Sequence, residues 1–356
     1  MLNSSPFTRN RIAASGVAIF ALLSTGWANA ADATFNVLGA VSTNSTQVEA
    51  ETQFYNTLAE ATGLSVAVNY RNLDVAGIKM EDTLRAVGSG AFDIVQSTIG
   101  PVARDDTFLD GIDLVGVSPT LEDLKTAVEA YREVFSKRVE DRFGVKVMTL
   151  WPFGPQVFYC NEHVAGLSDL PGKKVRSYTA SMSALVTALG AIPVTMSFPE
   201  VYLGLQRGVV DCAITSPTSG NTGKWPEVTA NLIPAGINWA MNAHFMNLEK
   251  WNALPDADKA KLETAFKALE DEMWVRAGAL SDQATACNVG SDSCEGYTKF
   301  AMKLADVTDA DRAKLGEAVT GTILPEWGKA CNAVYSECVN AWNASIGAAR
   351  GYAIAE

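Results

Sequence analysis

Strand-like and helix-like segments alternate from residue 34 to residue 214, and this order restricts the fold more than any other feature of the chain. Residues 34–39 read as a strand. Residues 47–62 read as a helix that Gly63 ends, and 64–70 alternate apolar and polar like a second strand. A helical stretch at 80–87 and a buried strand at 92–96 complete a βαβαβ series. That order predicts an α/β layer with a mostly parallel sheet. Thr120 and Asp123 have the spacing of a capping box and open a helix to about residue 142. A second series of the same character follows, with strands at 145–150, 156–160, 174–176 and 209–214. Its helices lie at 182–189, ending at Gly190, and at 198–206, opened by Ser197 and Glu200 and stopped by Gly208. Two similar α/β lobes imply a cleft between them.

The last third of the chain is different. From Asp256 to about residue 286 it reads as one amphipathic helix, with Leu262, Phe266, Leu269 and Met273 spaced four, three and four as a core-facing stripe requires. About 30 residues at 1.5 Å each make a rod of about 45 Å. That exceeds one small lobe, so the helix is expected to run across both. Thr308 and Asp311 start another helix. The expected division is residues 1–30 as a signal peptide, 31–153 with about 240–280 as one lobe, and 154–239 with about 281–356 as the other.

The first thirty residues set the compartment. Arg9 and Arg11 precede the apolar run 13–24, and Ala28-Asn29-Ala30 supplies a small-x-small exit. These are the parts of a cleaved secretory signal, with the mature chain starting near Ala31. A buried N-terminal helix is the plainer account. The run is too short for the roughly 20 apolar residues that span a bilayer. The formal charge is −12, and removing the two arginines takes it to −14. Such a chain is not expected to bind nucleic acid or an anionic membrane.

Six cysteines suit an oxidising compartment. They group as Cys160 with Cys212, Cys287 with Cys294, and Cys331 with Cys338, although sequence alone allows fifteen pairings. An unbroken helix would hold residues 331 and 338 about 10 Å apart. A disulfide needs Cα atoms within about 7 Å. Either a turn interrupts there or these two cysteines pair elsewhere. A C-x6-C spacing is not that of a zinc site.

Much catalytic machinery is missing from the sequence. His163 and His244 have no metal-like spacing, and there is no G-x-S-x-G, no G-x-x-x-x-G-K and no G-x-G-x-x-G. The informative stretch is 166–226. It holds Leu170-Pro171-Gly172-Lys173-Lys174-Val175-Arg176, then Leu189-Gly190-Ala191 with Pro193. Phe198-Pro199-Glu200-Val201-Tyr202 follows, and then Leu205-Gln206 through Gly208-Val209-Val210-Asp211. In this order and spacing the chain resembles the DctP family of solute receptors, which serve tripartite ATP-independent periplasmic (TRAP) transporters. Weaker similarity extends over nearly the whole mature chain. Two departures stand out. Cys212-Ala213-Ile214-Thr215-Ser216-Pro217 follows Asp211 where the family often has a Gly and an Asn- or Glu-containing segment. Gln156 stands where some members place a second arginine.

The resemblance implies that Arg176 holds a ligand carboxylate. Its planar fork suits a bidentate pair; the plainer account is a surface arginine beside Lys173 and Lys174. Other candidates rest on position. Gln156 offers a hydrogen bond, and Thr215, Ser216 and Ser219 offer hydroxyl groups after a strand. Trp151 and Phe153 flank an expected crossing between lobes, and Trp239 and Asn242 lie where the chain recrosses. Ser42, Thr43 and Asn44 follow the first strand, and Ser97 and Thr98 the third. Ligands of open α/β sheets sit beyond the carboxyl ends of strands, though short polar residues there also serve as helix caps, and the aromatics also serve as core.

The fold expected is a two-lobed α/β periplasmic binding protein, type II-like, with a long helix bracing both lobes. The function expected is periplasmic reception of a small organic acid, handed to TRAP membrane subunits, with no cofactor, no metal and no catalysis. The alternatives are a periplasmic α/β hydrolase or lyase, which needs an activated nucleophile or acid–base pair, and a receptor serving a membrane sensor.

Overall fold

A computed structural model describes residues 33–355; the expected signal peptide lies outside them. Two sheets form the centres of two lobes. The first has the order β2-β1-β3-β10-β4, and the second the order β11-β9-β5-β8-β6-β7. The first-sheet strands are β1 (Ala33–Gly39), β2 (Val66–Asn72), β3 (Ile94–Thr98), β4 (Val145–Pro155) and β10 (Trp239–Asn247). The second holds β5 (Val157–Cys160), β6 (Lys174–Ser177), β7 (Ile192–Thr195), β8 (Cys212–Thr215), β9 (Asn231–Ile233) and β11 (Lys303–Leu304). β1 lies parallel to both β2 and β3, as the βαβαβ order requires, whereas β10 runs antiparallel between β3 and β4.

Helix boundaries follow the expected local chemistry. Gly63 ends helix Ser45–Thr62 at φ 64°, a left-handed turn that glycine adopts without a Cβ penalty. Thr120 accepts the Asp123 N–H and opens helix Leu121–Phe143. Ser197 and Glu200 form the full capping box of helix Phe198–Gln206. Sequence periodicity did not reveal β10. All nine of its residues are buried on both faces, so the chain there shows no alternation to read.

The lobes are joined at three places. β4 passes into β5 through Gly154, whose φ of 145° leaves no room for a side chain; a Cβ would lie 2.9 Å from Ser216 Cβ. The return from β9 to β10 lies against this crossing: Gln156 N–H donates to Asn238 O at 2.8 Å, and Ile237 N–H to Gln156 O at 3.2 Å. The third connection is the 33-residue helix Asp256–Asn288. Its stripe of Leu262, Phe266, Leu269 and Met273 is buried as expected. Toward its first half, Glu270 accepts both Arg132 Nη groups, at 3.2 and 2.7 Å, and the Leu150 N–H at 2.7 Å. At its far end, Asn288 Nδ2 donates to Tyr159 Oη at 2.7 Å and to Pro217 O at 3.1 Å. One end is thus tied to the first lobe and the other to the second, so the helix braces both.

The disulfides join Cys160 to Cys212, Cys287 to Cys294 and Cys331 to Cys338. Of the two alternatives for the last pair, the interruption is the one present. Helix Leu324–Val334 stops, Tyr335 is extended at φ −151°, and the Cα atoms of Cys331 and Cys338 lie 5.8 Å apart. The helices that follow residue 308 pack on the first lobe, where Trp327 and Trp342 donate to the carbonyls of Thr107 and Gly111. They also pack on helix Ala180–Ala188 of the second.

Candidate ligand-binding site

A cavity of about 430 Å³ lies between the lobes. Asn44, Thr98 and Asp110 are on the wall from the first lobe. Phe153 comes from the crossing strand, and Arg176, Tyr178 and Thr215 come from the second lobe. The volume falls within the range usual for small-molecule sites, roughly 300–1,000 Å³.

Arg176 is on β6, flanked by Val194 of β7 and Ala213 of β8. Its neighbours Val175 and Ser177 point to the opposite face of the strand, Val175 into the apolar core. The residue is 3% exposed. Nε donates to Met196 O at 2.9 Å and Nη1 to Ile214 O at 2.8 Å. Its Cζ stands 4.9 Å from the centre of the Tyr178 ring and 5.8 Å from that of Trp225, in cation–π range. Burial lowers its pKa to about 10, opposed by Tyr178; the group therefore stays charged at neutral pH. Among the described residues no carboxylate pairs with it. Two backbone carbonyls and two rings fix its plane, and Nη2 forms no hydrogen bond with a described residue. The account of Arg176 as a surface arginine does not hold.

The other expected site residues divide by location. Phe153, Thr215, Asn44 and Thr98 share the cavity with Arg176. Asn44 and Phe153 also border a second cavity of about 10 Å³ with Ser97 and Asn242, roughly the room one water needs. There the Asn242 amide and Asn44 Oδ1 are buried without a hydrogen-bond partner among the described residues. The remaining candidates stand off the main cavity. Gln156 is fully buried; its Nε2 donates to Gly154 O, and its Oε1 accepts the Tyr178 hydroxyl at 2.9 Å. It therefore reaches the cavity only by orienting Tyr178. Ser216 caps helix Pro217–Thr222 by accepting the Ser219 N–H, and Ser219 is buried within that helix. Trp151 stacks on His244 at 6.3 Å, and Trp239 is buried in β10 opposite Pro155. Ser42 is exposed, and its backbone and hydroxyl both donate to Asp74.

Several cavity residues had not been singled out from the sequence. Tyr178 and Thr179 immediately follow β6, so the strand-end argument used for Ser97 and Thr215 applied to them equally. Asp110 belongs to the 3₁₀ turn Thr107–Ile112, far from any recognisable motif. A buried chain of Thr149, His244 and Glu51 also went unread. His244 Nδ1 and Thr149 Oγ1 are 2.8 Å apart, and His244 Nε2 and Glu51 Oε1 are 3.1 Å apart. The chain has the order of a nucleophile–base–acid relay. Yet all three side chains are buried away from the cavity, and the Glu51 carboxylate also accepts Tyr70 Oη and the Ala40 N–H.

A cavity shared by two α/β lobes, joined through crossing strands, is the plan of a two-lobed solute-binding protein. Residues 37–320 match DctP, described as bacterial extracellular solute-binding protein, family 7, and the chain belongs to that family. Curated relatives include the ectoine-binding periplasmic protein TeaA of Halomonas elongata, 24% identical over 52% of this chain and 59% of the relative. The C4-dicarboxylate-binding periplasmic protein DctP of Rhodobacter capsulatus is 27% identical over 68% of this chain and 71% of its own. Among solved structures, the Bordetella pertussis extracytoplasmic solute receptor DctP7, which binds pyroglutamic acid, superposes with a TM-score of 0.74. It is 19% identical and is matched over 87% of this chain and 99% of its own. A TRAP periplasmic solute-binding protein from Desulfovibrio salexigens with bound orotic acid gives 0.77 at 16% identity, over 89% and 99%.

Proposed function

We propose that this protein is a periplasmic receptor for a small organic acid, held through its carboxylate by Arg176 and delivered to the membrane subunits of a TRAP transporter. The observation that carries the reading is the buried guanidinium, charged at neutral pH and with no acidic partner among the described residues, on the wall of the cavity between the lobes. A buried charge is costly unless paired, and a ligand carboxylate supplies the missing partner. The named relatives are periplasmic binding proteins, and the leader with Arg9, Arg11 and Ala28-Asn29-Ala30 supports export with cleavage near Ala30. The ligand binds between the lobes and favours their closed arrangement through the contacts it makes with both. The closed form is the one the membrane subunits recognise.

A thermal-shift screen of the mature protein against organic acids tests this. A ligand at 100 times its dissociation constant should stabilise by about 2.7 kcal/mol. Shifts with neutral sugars and none with any carboxylate would sink the proposal. The hydrolase alternative requires turnover, checked by incubating the protein with its best ligand and looking for product.

A further inference from the structure

The cavity contains a second buried charge that a simple carboxylate does not answer. Asp110 stands on the wall from the first lobe and is 2% exposed, and its Oδ2 has no hydrogen-bond partner among the described residues. Burial pushes the carboxyl up to about 6, while the hydroxyl and N–H of Ser181, at the start of helix Ala180–Ala188, pull it down. It is therefore still mostly ionised at pH 7. No Lys, Arg or His among the described residues forms an ion pair with it. Asp113, one turn on, accepts the Met241 N–H and supplies no cation; burial and the nearby Asp110 push its own carboxyl well up. Four charged residues line the cavity. Arg104 and Glu81 are paired with each other at 3.1 Å. What remains is one isolated cation from the second lobe, Arg176, and one isolated anion from the first, Asp110.

A second carboxylate on the ligand would gain nothing from Asp110 and would be repelled by it, whereas a cationic group would answer it. We propose that the ligand is a zwitterion, an amino acid or related amino or ammonium acid, with its carboxylate on Arg176 and its positive group against Asp110. This rests on the receptor reading above and narrows its ligand class. It also gives closure a driving force, because the two ends of one small molecule then hold a residue of each lobe.

The test uses the mature protein and matched pairs that differ only in the amino group: aspartate with succinate, proline with cyclopentanecarboxylate, phenylalanine with 3-phenylpropionate, and alanine with propionate. Dissociation constants are measured by calorimetry. The expected result is that amino members bind and that their des-amino partners bind about 30-fold more weakly or worse, the loss usual for one partner of a buried charge pair. Asp110→Asn should bring the two members of a pair to near-equal affinity; this variant retains an acceptor for Ser181. Des-amino acids that bind wild type as tightly as their amino partners overturn the proposal while leaving the carboxylate reading intact. So does an unchanged preference in folded Asp110→Asn, which would make Asp110 a latch to Ser181 alone. If Arg176→Ala leaves binding of every member untouched, the carboxylate reading fails, and this one fails with it. Wild-type selectivity alone decides the matter should the variant not fold.

Discussion

Replacing Arg176 by Ala should abolish most affinity while leaving the free protein folded. An arginine has five N–H donors. Here one goes to Met196 O and one to Ile214 O, so three remain, and a bidentate carboxylate needs two. Opposite charges about 4 Å apart at an effective dielectric constant of 20 attract by about 4 kcal/mol. Truncating one side of such a buried pair costs about 2–5 kcal/mol. At about 1.4 kcal/mol per decade, 4 kcal/mol corresponds to an increase in Kd of about 1,000-fold. The free protein experiences two opposed effects. Ala leaves the carbonyls of Met196 and Ile214 without their donor, but it also removes a charge whose pKa burial lowers from 12.5 to about 10. That shift corresponds to about 3 kcal/mol. The melting temperature should therefore move little. Arg176→Lys restores a charge without the planar fork and should recover no more than about tenfold of the loss. Calorimetric titration with the best ligand of the screen, alongside circular dichroism, reads all of this. A folded Ala variant that binds within about threefold of wild type would refute the argument. A Lys variant equal to wild type would show that charge, and not the fork, holds the ligand.

Other outcomes follow from particular contacts. Asp110 titrates higher in the folded chain than its ordinary value of 3.8, so its contribution to stability is full below 3.8 and is lost as pH rises through about 6. The free protein should therefore gain up to about 3 kcal/mol from this group between pH 7.5 and 4, and denaturant midpoints of Asp110→Asn should lack that component. Gly100 lines the cavity from the first lobe, and a Cβ there would lie 2.4 Å from Thr179 Cγ2 of the second. Gly100→Ala should wedge the lobes apart and raise Kd about tenfold without touching Arg176; calorimetry showing no change would mean that the lobes do not meet there in the bound form. Opening the Cys160–Cys212 bridge, which spans 52 residues, should cost about 4 kcal/mol, against about 2 kcal/mol for Cys331–Cys338, which spans seven. Guanidinium midpoints of the two double-alanine variants should rank in that order.

The legible parts of the chain were those in which local chemistry decides structure. Gly63 and the Ser197–Glu200 box mark helix ends through backbone conformation and nearby hydrogen bonds. The Leu262–Met273 stripe declares a helix through its period, and the disulfide limit left either a break between Cys331 and Cys338 or pairing elsewhere, of which the break at Tyr335 occurs. The motif around Arg176 drew attention to the residue. What recommends that arginine as the proposed anchor is tertiary: carbonyls 20 and 38 residues away, the Tyr178 and Trp225 rings, and the lack of an acid paired with it among the described residues. The same distinction applies to the misplaced candidates. By sequence Ser42 and Ser97 both follow strands, yet Ser97 lies within β3 and borders a cavity, whereas Asp74 holds Ser42 at the surface. Gln156 was expected to touch ligand and instead orients Tyr178. Asp110 had no local signature at all, since an unpartnered carboxylate is defined by what the rest of the chain fails to bring near it. Periodicity, capping and bond geometry depend on neighbours in sequence, and so the sequence by itself determined most of the elements, their order and the two lobes, but not the short strands β7, β9 and β11 or the fully buried β10. Which charges remain isolated in the cavity depends on how those lobes meet, and only the tertiary structure decided that.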